Sequence, residues 1–275
     1  MIRRREFLAA AVQTARPGGL PTRRLAKTSE QVSILALGGA HLGRVGGKDQ
    51  DEATRMVRTA IDAGLTFMDN AWDYLNGDAE KVMGIALRDG WRNKTFLMSK
   101  NCGRDYKTSM ANLDESLRRL QTDHLDLWQF HEINYDNDPD WIVERGPLKA
   151  ALEAQKAGKI RHIGFTGHKD PSIHLKMLGK NVTWTTAQMP INPLDAFFRS
   201  FQNEVLPACV KKGVSVIGMK CLGGGPYVAR IPSKTKLTAE QCVRYSLSLP
   251  ITVLCRGYTT MEQLQADIKI ATDFK

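Results

Sequence analysis

The chain contains no apolar run approaching the roughly 20 residues that a membrane-spanning helix needs, so a soluble protein is expected. It has no C-x-x-C pair, and its five cysteines, Cys102, Cys209, Cys221, Cys242 and Cys255, are odd in number. That pattern argues against a disulfide framework or a zinc site and fits a reducing compartment. No G-x-G-x-x-G follows an early apolar run; the first is followed by Gly38-Gly39-Ala40-His41-Leu42-Gly43. The glycine-rich stretch Gly43 to Lys48 is not followed by Ser or Thr, so it is no Walker A loop. His-x-His is missing from Ile34 to Gly39, which removes the ligand pair of a metal-dependent barrel hydrolase, and no metal cluster is expected. Solenoid repeats and low-complexity linkers are also lacking. The formal net charge is +10, but the lysines and arginines are scattered and not interleaved with aromatics, so nucleic acid is not an expected partner. The excess reads as a solvated basic surface, or as a site for an anionic ligand such as a phosphorylated cofactor.

The N-terminus carries Arg4-Arg5-Glu6-Phe7-Leu8, which resembles a twin-arginine export motif. The apolar segment behind it runs only from Phe7 to Val12 before Gln13, Thr14, Arg16 and Pro17 interrupt it. A signal needs about 7–15 apolar residues there. Residues 1–20 therefore read as a basic tail or vestigial signal, and 21–275 as one folded domain. A cytoplasmic location is expected, with twin-arginine export as the alternative.

Short apolar runs then alternate with helical patterns. Candidate strands are Ile34–Leu37, Thr66–Asp69, Thr95–Lys100, Leu125–His131, His162–Thr166, Thr185–Met189, Ser215–Lys220 and Thr252–Arg256. Helix ends are legible between them. Asp51 is the expected cap of a helix that stops at Gly64, and Asp170 before Pro171 opens another. Lys211-Lys212-Gly213 closes a helix, and Thr238 with Gln241 makes a capping box. Eight strand–helix alternations predict an α/β fold of the (β/α)8 barrel type, with a doubly wound sheet as runner-up. Pro21 to Val32 is expected to form a small hairpin plugging the barrel floor.

In such a barrel, chemistry collects where strands end. Asp69, Lys100 and His131 end three successive candidate strands at intervals of 31 residues, and Tyr74 lies on the loop after the first. Each has an ordinary reading: a helix cap, a surface lysine, a core histidine, a loop aromatic. At matched heights they make a coherent set. A lysine ammonium about 4 Å from a phenol, at an effective dielectric near 20, is worth about 4 kcal/mol, or about three pKa units toward phenolate. Tyr74 then serves as a general acid, Lys100 tunes it, Asp69 orients Lys100, and His131 bonds the substrate oxygen. An electron pair must come from elsewhere, and a hydride-carrying cofactor is the natural source.

With these residues the sequence resembles the aldo-keto reductase family, over roughly Pro21 to the C-terminus. The similarity is carried by the order Asp69, Tyr74, Lys100, His131 and by the loop DNAWDYLNGDAE, with Glu80 in the matching place. GKIRHIGFTGH, from Gly158, and AQMPINP, from Ala187, look like the family's strand-five and strand-six segments. The resemblance implies NAD(P)H-dependent reduction of an aldehyde or ketone. It implies cofactor contacts at Thr166, Gly167, Gln188, Met219, Lys220, Leu222, Arg256, Gly257, Tyr258, Thr259 and Gln263. Arg256 stands where a basic residue commonly meets a 2′-phosphate, which favours NADP, with NAD as the alternative. Two departures are evident. Thr166-Gly167 replaces the usual Ser-Asn, and Met219 replaces an aromatic that stacks on nicotinamide. They motivate a second reading, a cofactor-binding sensor with little turnover. The loop Glu132 to Trp141, with Tyr135 and Trp72, is expected to shape the substrate site, while Trp128 reads as core. The sequence stops at Lys275, where many family members continue with a loop over the substrate, so an open pocket or a shortened chain is expected.

Overall fold

Leu35–Gly38, Phe67–Asp69, Phe96–Asn101 and Leu125–Phe130 are buried at every position, on both faces. A strand with no solvent face must be covered twice, which is the condition of a parallel sheet wrapped by helices. The computed structural model describes residues 14–15, 19–224 and 230–274. The strands, in chain order, are β1 (Thr14–Ala15), β2 (Pro21–Arg24), β3 (Gln31–Ser33), β4 (Leu35–Gly38), β5 (Phe67–Asp69) and β6 (Phe96–Asn101). They continue as β7 (Leu125–Phe130), β8 (Ile160–Thr166), β9 (Thr186–Pro190), β10 (Ser215–Met219) and β11 (Val253–Arg256). The last eight close into an all-parallel barrel, β4 through β11 in order, with β11 returning to β4. The register fixes the rim: Gly38 pairs with Asp69, and Thr166 with Gln188.

The helices are α1 (Gly39–Gly46), α2 (Gln50–Asp62), α3 (Asp78–Ala86), α4 (Tyr106–Leu120), α5 (Asp138–Glu144) and α6 (Pro147–Lys156). They continue as α7 (Pro171–Gly179), α8 (Leu206–Lys212), α9 (Arg230–Lys234), α10 (Ala239–Leu247) and α11 (Met261–Thr272). This is the expected (β/α)8 barrel. The Asp170 cap, the Lys211-Lys212-Gly213 terminus and the Thr238–Gln241 capping box all form. The cap of α2 differs: Asp49, not Asp51, accepts from the Glu52 amide at 2.9 Å, and Asp51 sits in the first turn.

The barrel has a floor and a top. Leu25 and Val32, from the β2–β3 hairpin, pack with Ala36, Phe67, Phe96, Leu127, Ile217 and Val253, several of them first residues of strands. The hairpin is tied down by the Ala26 amide donating to Ser215 Oγ at 2.6 Å. Arg23 donates to Leu247 O at 2.9 Å. The floor is thus sealed as the sequence predicts. The small sheet also takes in β1, which pairs antiparallel with β2, and Leu20 is buried, so the folded part reaches back before residue 21. The twin-arginine segment lies outside the described residues. No helix among the described residues is long and apolar enough to cross a membrane.

Candidate active site

The top of the barrel opens on a cavity of about 670 Å³. Asp69 ends β5 and is almost wholly buried, as is Lys100 near the end of β6. Lys100 Nζ donates to an Asp69 oxygen, to Asn70 O at 2.7 Å and to Tyr74 Oη at 3.3 Å. The other Asp69 oxygen accepts from Gln188 Nε2 at 2.6 Å. Tyr74 is half-buried on the cavity wall, and its ring meets that of His131 edge-on with centroids 5.6 Å apart. His131 lies one residue beyond β7, its amide donating to Asn101 O at 2.8 Å. The three strand-end residues and Tyr74 therefore do converge.

The loop holding Tyr74 is strained. Leu75 and Asn76 have φ of +52° and +54°, values that side chains rarely adopt. Such strain persists only where surrounding structure over-determines it. Here Arg119 donates to Trp72 O at 2.8 Å and pairs with buried Glu80 at 3.3 Å, and Ser99 Oγ donates to Glu80 at 2.5 Å. Glu80 thus shapes the loop from beneath.

Burial drives the Tyr74 phenol well above its ordinary pKa. Lys100 pulls it down and Asp69 pushes it up, so burial and not the ammonium sets the direction. That corrects the expectation of a lowered value: the lysine acts against a larger desolvation cost. Burial also works against the Lys100 ammonium, yet Asp69 carries it above its usual value.

Sequence reasoning missed the neighbours. Asp73 Oδ1 stands 3.0 Å from His131 Nδ1, and Cys102 Sγ stands 3.5 Å from the same nitrogen. Burial works against the Asp73 carboxylate, but His131 and Lys100 hold it below its ordinary range. Glu132, with φ of +51°, pairs with His168 at 3.2 Å. Arg104 braces this loop, donating to His131 O at 2.7 Å. The signal for Asp73 was its place beside Tyr74; Cys102 and His168 had none beyond nearness to the strand ends.

A model of the Aldo/keto reductase family matches residues 34–270. The chain belongs to this family. It is 28% identical over 72% of its length to the aldo-keto reductase YhdN of Bacillus subtilis, spanning 62% of that protein. It is 25% identical to the L-galactose dehydrogenase of Arabidopsis thaliana, over 92% of this chain and 88% of that one. Among solved structures, the aldo-keto reductase AKR11C1 from Bacillus halodurans, in its holo form, superposes with a TM-score of 0.76 at 23% identity, covering 91% of this chain and 90% of that one.

The positions that this aldo-keto reductase was expected to use for a cofactor fall into two groups. Thr166, Gln188, Met219, Lys220, Leu222, Arg256, Gly257, Thr259 and Gln263 line the cavity. Gly167 and Tyr258 do not. Gly167 is a packing glycine, because a Cβ there would lie 2.7 Å from Ile133 O. Tyr258 is buried, with the Arg256 guanidinium 5.7 Å from its ring. Arg256 itself is committed inward: its Nε donates to buried Asp267 at 2.5 Å. Gln263 accepts from the Thr259 amide at 3.0 Å, fixing the turn into α11. Trp72 is also turned from the cavity and donates to Glu115 at 2.8 Å, while Trp128 is core as expected.

Proposed function

We propose that this protein is an NADP(H)-dependent oxidoreductase that reduces an aldehyde or ketone to an alcohol, or runs the reverse reaction, with Tyr74 as the general acid. The observation that carries the reading is the buried chain Gln188–Asp69–Lys100–Tyr74, which ends in a phenol on the cavity wall. Gln188 also supports a nicotinamide. Its Nε2 is spent on Asp69, while its Oε1 is buried on the cavity with no partner among the described residues. An orphaned buried acceptor is costly unless a ligand donates to it, and a carboxamide N–H would. Thr166 would offer a hydroxyl beside it, and Met219 a thioether for the ring face.

When bound, the cofactor supplies a hydride to the carbonyl carbon. The protein's residues handle the proton. Tyr74 Oη gives its proton to the carbonyl oxygen as that oxygen gains charge, and Lys100 stabilises the phenolate left behind. Asp69 and Asn70 O keep the ammonium charged and aimed at Tyr74. The raised value of the Tyr74 phenol keeps the acid form loaded at neutral pH. The cavity wall near Tyr74 carries Asp73, His131, Glu132 and His168, and Tyr74 is the sole Phe, Tyr or Trp among its described lining residues. Polar walls favour a hydroxylated carbonyl, such as an aldose, over an apolar one. A need for reduced cofactor and five free cysteines favour a cytoplasmic location.

The experiment is a fluorescence titration with NADPH and, separately, NADH, followed by turnover on aldoses and aromatic aldehydes. Tighter NADPH binding is expected. Tyr74→Phe should lose about 10²- to 10⁴-fold in kcat on every accepted carbonyl with cofactor affinity retained. A loss below about tenfold would remove Tyr74 from the acid role. Binding without turnover would leave a cofactor-binding protein on a reductase barrel.

A further inference from the structure

Three loops at the top of the barrel bring together an oxygen, a nitrogen and a sulfur ligand. Asp73 comes from the loop after β5, Cys102 from the residue after β6, and His131 from the residue after β7. Their ligand atoms all lie within 4.8 Å of one another. His131 Nδ1 faces both Asp73 Oδ1, at 3.0 Å, and Cys102 Sγ, at 3.5 Å. The Cys102 thiol also hydrogen-bonds Asp73, so the three groups are already mutual partners at the distances of a shared ion's ligands. One ion would replace these bonds with three to itself. Zinc bonds of about 2.0–2.1 Å to nitrogen and 2.3 Å to sulfur, at the tetrahedral angle, separate those ligands by about 3.5 Å. The observed nitrogen–sulfur separation matches, and the 3.0 Å oxygen–nitrogen separation would have to widen slightly around an ion.

We propose that Asp73, Cys102 and His131 form a binding site for a soft divalent cation of the zinc class. Asp73 and His131 line the cavity, so a fourth position is left for water or a ligand from that side. A thiolate and an imidazole select zinc or cobalt over magnesium or calcium.

The test uses the full-length, reduced, chelator-treated protein and cobalt(II) as the probe. Wild type should bind one cobalt per chain, with thiolate-to-cobalt charge-transfer absorption in the near ultraviolet and the d–d bands of four-coordinate cobalt. Zinc, which takes four-coordinate thiolate and imidazole sites, should displace it. Cys102→Ser should lose the charge-transfer bands, and Asp73→Asn should weaken binding by at least about tenfold. No thiolate band in wild type overturns the proposal. So does a band that survives in Cys102→Ser, which keeps four other cysteines. Should that variant not fold, wild type alone decides: zinc should slow alkylation of half-buried Cys102, read by peptide mass spectrometry, and equal rates with and without zinc overturn the site. None of these readouts needs turnover, so failure here leaves the reductase reading intact, and failure of that reading leaves this one.

Discussion

At the scale of single residues, the Asp69–Lys100 pair is the most consequential contact. Both groups are almost wholly buried, so each depends on the other for the solvation it has lost. Lys100→Met should cost about 3–5 kcal/mol in a urea unfolding experiment, because it strands a buried carboxylate. Asp69→Asn strands the ammonium and should cost a similar amount. The double variant should fall short of the summed losses by about 0.5–3 kcal/mol, since neither charge is then left alone. Strict additivity would mean the two charges are not coupled. The convergence of Asp69, Lys100 and His131 was legible because equal spacing at strand ends is written in the sequence. The cluster of Asp73, Cys102 and His131 was not, because three loops meet there only after the barrel has closed. Gly167 shows the same gap. Its departure from the family pattern reads as a lost contact, whereas the structure gives it a steric cause, the nearby Ile133 carbonyl.

At the scale of elements, α7 docks through an unusual residue. His174 is fully buried, with Nε2 3.1 Å from Gln188 O and its ring packed between Phe165 and Phe201 at 5.4 and 5.0 Å. Burial pushes its pKa down from 6.5 to about 4, so the neutral ring is the folded form. The unfolded chain then binds the proton first as pH falls. Stability from this residue is complete above pH 6.5 and drains away as pH drops toward 4, by about 3 kcal/mol. His174→Gln keeps a donor for Gln188 O but cannot titrate. Urea midpoints measured across that pH window should slope in wild type and flatten in the variant; parallel curves would mean that His174 is not the group responsible. The elements themselves were largely legible, because buried parallel strands are continuous apolar runs and caps have side-chain signatures. The misplaced α2 cap shows the limit. Asp49 and Asp51 are chemically alike, and only backbone geometry decides which one faces the free amides.

For the whole molecule, the barrel separates stability from chemistry. The hairpin seals the floor, while the cavity and the strained Tyr74 loop occupy the top, in line with the division of labour in this fold. The barrel and its plug follow from alternation and length, but much of the cavity's lining comes from loop conformations that no periodicity encodes. The separation has a direct consequence. Leu25 is fully buried among the floor residues, on the opposite end from Tyr74. Truncating it to alanine removes three carbons from a packed plug and should cost about 2–5 kcal/mol. The cavity lies at the other end of the barrel, so NADPH affinity at a temperature where the variant remains folded should stay within about twofold of wild type, well under the 1.4 kcal/mol that a tenfold change represents. Urea unfolding and cofactor titration on the same preparation check both halves. A stable variant would mean that the hairpin is not an integral plug, and a tenfold loss of affinity would mean that floor and top are mechanically coupled.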